Sequence, residues 1–512
     1  MPGIELAKTT IDAVFENQFN LYRTLSLPEE KLFLSYCSSD KGGKSIRPSI
    51  VLKKIKRVFP NMLEESDIVQ KEHKITSKKA TFSEALQVYQ EWLEKGKRYP
   101  EWEEYLSYFK QKDIKSFEEA IAGKGYSNEA EVIQTKFLQK MYGKELKTTI
   151  SRLENYRKCP FSYHMTYGLK LNENQSFQMT SLDTGSFMHE VIDAFFAYME
   201  EKMLDIKEIT DEQMQEIMNK IIDEMLQMSK YYIFSGSAKY RMMTRRLKKV
   251  VTQSMKYILY SLKYSDFRPI GHEVEFGKNG QYPPIELTLD SGEKIEMIGK
   301  IDRVDVGKLE NHEYVRIIDY KSQVKKLDLN QVVGGLQIQL ITYLDAVTMQ
   351  ESLESAGILY LGLVDNIIKS QKNLLDEDIE KEIRKGFKMQ GLILADVKVV
   401  KMMDNKLEKG YSDIVPAYID KEGQLSLKSS SVANQEEFEA LQKTIKKTIK
   451  EIASEILRGK IDIKPYSYGN KTGCDYCNYK AICMFHPEGK EKEYRYLSKK
   501  SNIEILNELM EK

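Results

Sequence analysis

The chain has 512 residues, 41% of them hydrophobic and 30% charged, with a formal net charge of +1. That is enough chain for two to four domains with proper cores, but the balanced charge gives no bulk basicity, so any nucleic-acid groove must come from local clustering. No run of about 18 apolar residues marks a membrane span, and the polar start MPGIELAKTTIDAVFENQ lacks a signal-peptide core, so a cytoplasmic protein with no membrane partner is expected. Five cysteines in so long a chain are no disulfide framework.

Residues 4–24 have helix periodicity. Glu30-Lys31-Leu32-Phe33-Leu34-Ser35-Tyr36 reads as a buried strand, followed by a loop over Ser38–Lys44 and a basic helix around Leu52–Arg57. Gly43-Lys44-Ser45 is not a phosphate-binding loop. That pattern needs a glycine five residues before Gly43, and the residue there is Ser38. Residues 61–148 read as helical and charged, with Trp92 and Trp102 as packing residues, and Cys37 as a buried thiol.

A second unit is expected from Thr149. Ser151 with Glu154 three residues later predicts a capping box, and the helix stops at Cys159-Pro160-Phe161. After a polar loop (Asn172–Gln178), Asp183-Thr184-Gly185-Ser186 reads as a loop entering the helix that carries His189 and Glu190. Residues 207–264 form two or more long helices. Within them, Ala238–Lys249 mixes basic and aromatic residues, which suits either a strand-binding channel or a solvated face. Residues 271–306 are strand-rich, and alternation leaves open whether Glu273 or Glu275 faces inward. A strand at Gly357–Leu363 and a long helix over Glu436–Arg458 complete the pattern.

The chemistry concentrates in Met297–Tyr343. Ile298–Asp305 and Val315–Lys321 are short apolar runs carrying carboxylates, and the charged, turn-prone Lys308–Glu313 between them predicts a hairpin. Phosphodiester hydrolysis needs a hard divalent cation held by oxygen ligands, with positions left for water and a phosphate oxygen. Asp302 and Asp319 can hold such an ion, and Lys321, two residues after Asp319, shares its face of a strand. Asp319 also follows an Ile-Ile pair, and a buried carboxylate is costly without a metal or partner. Helix periodicity places Gln339 and Tyr343 on one face.

Three clustered cysteines, Cys474-x2-Cys477-x5-Cys483, point to a metal centre whose fourth ligand could be His486 or Cys159. On spacing alone, zinc and an iron–sulfur cluster are both open.

Gly299-x-x-Asp302-x-x-Asp305, Ile318-Asp319-Tyr320-Lys321-Ser322 and Gln339-x-x-x-Tyr343, with Gly185–Glu190 upstream, resemble the PD-(D/E)xK nuclease core in its RecB-like form. The stretches LFLSYCSSDKGGKSIRPS and Phe387–Leu394, and the placing of Cys159, resemble AddB-type subunits of bacterial ATP-dependent helicase/deoxyribonucleases.

The resemblance implies an α/β fold: a mixed sheet flanked by helices (149–490), preceded by a mostly helical helicase-like remnant (1–148) and followed by a helical tail (491–512). It implies Mg2+ bound by His189, Asp302, Asp319 and the Tyr320 carbonyl, with Lys321, Gln339 and Tyr343 also serving catalysis. It further implies a [4Fe-4S] cluster on Cys159, Cys474, Cys477 and Cys483. The implied activity is single-strand exonuclease action on the 5′-ended strand, with single- and double-stranded DNA as partners. An AddA-type helicase–nuclease subunit would complete a heterodimer that resects double-strand breaks for recombinational repair. A stand-alone iron–sulfur nuclease of the CRISPR-adaptation type and a non-catalytic DNA-binding scaffold are the alternatives.

Overall fold

The computed structural model describes residues 9–39, 45–64, 75–122, 132–143, 145–171, 179–351, 353–365, 375–485 and 493–511. The chain forms two compact units, Met1–Tyr126 and Ser127–Lys512. No helix among the described residues is long and apolar enough to cross a membrane.

The first unit contains α1 (Thr10–Ser26), α2 (Ile50–Val58), α3 (Lys78–Lys95), α4 (Pro100–Lys112) and α5 (Ile114–Ala122). Ala85, Val88, Trp102, Phe109 and Phe117 form its core, so Trp102 is a packing residue, whereas Trp92 is 38% exposed. The expected buried strand at Glu30–Tyr36 is absent. Residues 31–37 are exposed and without regular structure, since no neighbouring strand among the described residues pairs with them. Cys37 is correspondingly exposed rather than buried. Residues 4–8 of the first expected helix, Gly43 and Lys44, and the polar loop 172–178 lie outside the described residues.

The second unit opens with α6 (Thr135–Tyr142), β1 (Leu146–Thr149), α7 (Ile150–Lys158), α8 (Pro160–Tyr163), α9 (Ser181–Glu201), α10 (Asp211–Leu226) and α11 (Ala238–Lys263). Then come β2 (Arg268–Phe276), β3 (Ile285–Thr288), β4 (Lys294–Leu309), β5 (His312–Lys321), α12 (Leu329–Val333), α13 (Gln339–Glu351) and β6 (Glu354–Gly362). They are followed by α14 (Asp376–Gly386), β7 (Gln390–Leu394), α15 (Val397–Met403), a small hairpin of β8 (Gly410–Tyr411) and β9 (Tyr418–Ile419), β10 (Val432–Ala433) and α16 (Gln435–Leu457). The end comprises β11 (Tyr466–Tyr468), β12 (Lys471–Thr472), α17 (Lys480–Cys483), β13 (Arg495–Tyr496) and α18 (Asn502–Met510).

An eight-stranded mixed sheet runs β1-β4-β5-β6-β7-β10, with β2 and β3 also paired to β4. The long β4 is the hub: its first half meets β1 in parallel and β3 antiparallel, its second half meets β2 and β5 antiparallel. The expected hairpin is therefore present. β5 and β6 are parallel, joined through α12 and α13. Tyr314–Tyr320 is buried without a break, as befits a strand covered on both faces. The tail is part of this unit, since Ile505, Leu506 and Leu509 of α18 join its core.

Three local expectations are corrected. Leu146–Thr149, read as the end of a helical stretch, is strand β1. Thr149 rather than Ser151 caps α7, its hydroxyl accepting from the Arg152 amide, and Glu154 is used elsewhere. Helix α9 starts at Ser181, inside a capping box of Thr180 with Asp183, so Asp183–Ser186 are helical rather than loop. Within Phe387–Leu394, Gly391 has a steric role. A Cβ on Gly391 would lie 1.9 Å from the Ile358 carbonyl oxygen, so only glycine lets β7 close on β6.

Candidate active site

Helix α9 buries Phe187, Val191, Ile192 and Phe195 in the core and turns His189 toward the sheet. The register of β2 on β4 pairs His272 with Arg303 and Val274 with Ile301, which sets Glu273 across from Asp302. Glu273 occupies left-handed backbone (φ +49°), a costly conformation for a non-glycine residue. His189 Nδ1 lies 3.4 Å from Asp302 Oδ1 and 3.6 Å from Glu273 Oε1. Its Nε2 lies 3.1 Å from the Tyr320 carbonyl oxygen, and the Tyr320 amide donates to Asp302 Oδ2 at 2.6 Å. One ligand atom each from His189, Glu273 and Asp302 fall within 4.8 Å of one another. The open choice at β2 thus resolves to Glu273. Glu190 does not join the site; it ion-pairs with Lys230.

Asp319 and Lys321 share a face of β5 and form an ion pair. Burial and the Asp302 carboxylate push Asp319 up to about 6, against the pull of Lys321 and Lys325. Burial disfavours a charged His189 ring, yet hydrogen bonds to Asp302 and Glu273 raise it to about 10. The ring turns Nδ1 to the two carboxylates and Nε2 to the Tyr320 carbonyl, and the imidazole with the two carboxylates suits a divalent cation. Lys300 Nζ holds Glu273 Oε2 at 2.7 Å.

Gln339 and Tyr343 lie beside this cluster. The Tyr343 phenol oxygen accepts from the Lys300 amide at 3.3 Å. A Cβ on Gly299 would stand 2.5 Å from the Tyr343 hydroxyl, so the glycine of the Gly-x-x-Asp strand is the seat of the Tyr343 ring. Glu154, from α7, accepts from the amides of Ile338 (2.8 Å) and Gln339 (3.2 Å) at the start of α13.

Asp305 is different. It is wholly buried on the opposite face, 2.8 Å from Arg303 Nε and 2.9 Å from Arg316 Nε, and Arg303 Nη1 donates to the Tyr320 hydroxyl at 3.2 Å. Half of the basic residues of the Ala238–Lys249 stripe are engaged: Arg246 pairs with Asp365, Lys248 with Asp223, and Arg241 donates to the Ser235 carbonyl.

The four thiols are neighbours, though no three of their sulfurs fall within 4.8 Å of one another. Burial, then the neighbouring Cys159, Cys477 and Cys483, pushes Cys474 up to about 11. Burial also raises Cys159, opposed by the backbone amides of Ser162, Phe161 and Lys464, which favour its thiolate. Cys159 and Cys483 are buried, and Cys474 and Cys477 partly so. Four thiols from both ends of one unit suit a thiolate-bound metal centre. His486 lies outside the described residues.

A mixed sheet with a histidine helix, carboxylates on neighbouring strands and an adjacent lysine is a nuclease-like arrangement. Residues 147–484 match the family model for the PD-(D/E)XK nuclease superfamily, and the chain belongs to that superfamily. Among curated relatives, it is 39% identical over 517 residues to the B subunit of the ATP-dependent helicase/deoxyribonuclease of Clostridium novyi, covering 98% of this chain and 45% of that protein. The same-named proteins of Clostridium tetani (38% identical; 98% and 45%) and Caldanaerobacter subterraneus subsp. tengcongensis (38%; 97% and 44%) match similarly. The chain spans less than half the length of these relatives.

Proposed function

We propose that this chain is a Mg2+-dependent single-strand deoxyribonuclease acting on the 5′-ended strand. It would serve a cytoplasmic helicase–nuclease that resects double-strand breaks for recombinational repair. The observation that carries the reading is the convergence of His189, Glu273 and Asp302 on one point beside the Asp319–Lys321 pair.

His189, Asp302, Asp319 and the Tyr320 carbonyl would hold the ion, with Glu273 as a further ligand. When bound, the ion supplies a water of lowered pKa and offsets charge developing on phosphorus. The Tyr320 amide fixes one Asp302 oxygen and leaves the other toward His189. Lys321 positions the attacking water or offsets charge on the phosphate. Gln339 and Tyr343 hold the substrate strand or orient Lys321, with Tyr343 seated against Gly299 and the Lys300 amide.

Cys159, Cys474, Cys477 and Cys483 would hold a [4Fe-4S] cluster that staples α8 to the C-terminal segment, a structural role. The relatives are each named as one subunit of a larger enzyme, which supports a partner for this chain. We assign that partner as an AddA-type helicase–nuclease, with single- and double-stranded DNA as substrates of the pair.

The test is cleavage of 5′- and 3′-labelled single strands by anaerobically purified protein, with Mg2+ and with chelator. The expected result is shortening from the 5′ end that needs Mg2+ and is lost in Lys321→Ala, in protein carrying about four irons and four sulfides. Strands left intact in both Mg2+ and Mn2+ would sink the nuclease assignment, and a colourless protein holding one zinc would sink the cluster.

A further inference from the structure

We propose that Lys325 is a second phosphate-binding cation of the site, contacting the backbone of the nucleic-acid strand beside Lys321. This rests on the nuclease reading and adds a residue that none of the motifs contains.

Lys325 lies on the irregular segment between β5 and α12 and is half-buried. Its ammonium sits 4.4 Å from the centre of the Tyr360 ring, and the Lys321 ammonium sits 5.8 Å from the same centre. Tyr360 is the β6 residue in register with Asp319, so this ring is a fixed platform next to the reacting groups. A cation over an aromatic face is held in place while its donors stay available.

The other lysines of the site are occupied: Lys300 pairs with Glu273 and Lys321 with Asp319. Lys325 has no carboxylate within 4.0 Å among the described residues. The carboxylates it senses are Glu154 and Asp319, and burial together with Lys321 and Lys158 works against its charge. Glu154 is already committed to the α13 amides. A half-buried ammonium without a close counter-ion is costly unless an anion arrives. A phosphodiester of the substrate strand is the anion that this site receives, and a lysine meets it as a point charge.

The competing view is that Lys325 merely balances the buried Glu154. Binding of a fluorescent oligothymidylate to the full chain, in Ca2+ and over a salt series, separates the two. Loss of one phosphate contact in Lys325→Ala lowers the slope of log affinity against log salt by about 0.7 and weakens binding about three- to tenfold. Lys325→Arg keeps both, and melting temperatures stay level. An unchanged slope in Lys325→Ala overturns the proposal, as does weaker binding that tracks a lowered melting temperature in both variants. A wild-type chain that does not bind the strand overturns it outright. Failure of the nuclease reading looks different: a Lys325-dependent slope in a chain that never cuts with Mg2+ or Mn2+.

Discussion

Asp302 and Asp305 stand three residues apart on one strand, and an odd spacing sends them to opposite faces of the sheet. Asp302 meets His189 and the Tyr320 amide. Asp305 meets two buried arginines, one of which holds the Tyr320 hydroxyl. Tyr320 therefore links the faces, its backbone in the site and its phenol in the ion cluster behind it. Burial alone would raise the Asp305 carboxyl, but Arg303 and Arg316 outweigh burial and hold it low.

A lowered folded-state pKa means that the stabilisation is complete above the ordinary aspartate value of about 3.9 and is lost as pH falls through the folded value. Asp305→Ala leaves two buried guanidiniums unpaired, so a loss of about 3–5 kcal/mol is expected in denaturant titration. Asp302→Asn should leave stability near wild type. Equal stabilities for Asp305→Ala and wild type would contradict the separation of roles. The division between faces is readable from spacing alone. The place of Glu273 is not, because it depends on the register of β2 against β4, which no local pattern encodes.

At the scale of elements, α13 is set by a contact that no motif announces. Glu154, which in sequence looks like the far half of a capping box, caps a helix 184 residues away instead. Thr149 caps α7, the role expected of Ser151. Sequence spacing finds a capping residue but not which helix it serves when a buried carboxylate can reach another. Glu154→Ala should cost about 1–2 kcal/mol and loosen Gln339 and Tyr343. Glu154→Gln, which keeps an acceptor, should recover most of it, and thermal melts of the two variants check this. Strand β1 escapes the sequence for a simpler reason: Leu146-Lys147-Thr148-Thr149 is too short to show alternation, and its strand character comes from pairing with β4. The β4–β5 hairpin is legible because two apolar runs flank a charged turn.

For the whole molecule, hydrogen bonds tie the two ends of the second unit together. Tyr156 Oη donates to the Lys460 carbonyl at 3.2 Å, the Phe161 amide to the Asp462 carbonyl at 3.2 Å, and Arg495 Nη2 to the Arg157 carbonyl at 2.6 Å. These bonds bring Cys159 to the Cys474–Cys483 segment. A cluster bound there would restrain a long loop, on the order of 5 kcal/mol in a chain-entropy picture. The chemistry turns on the His189, Glu273 and Asp302 cluster with Asp319 beside it. The most direct measurement is a calorimetric titration of Mn2+ into wild type and Asp302→Asn, paired with strand cleavage by the same samples. Wild type should show one divalent-ion site, at least about tenfold weaker in Asp302→Asn, with cleavage lost in parallel and the melting temperature kept. Equal ion binding and equal cleavage in both proteins would contradict it.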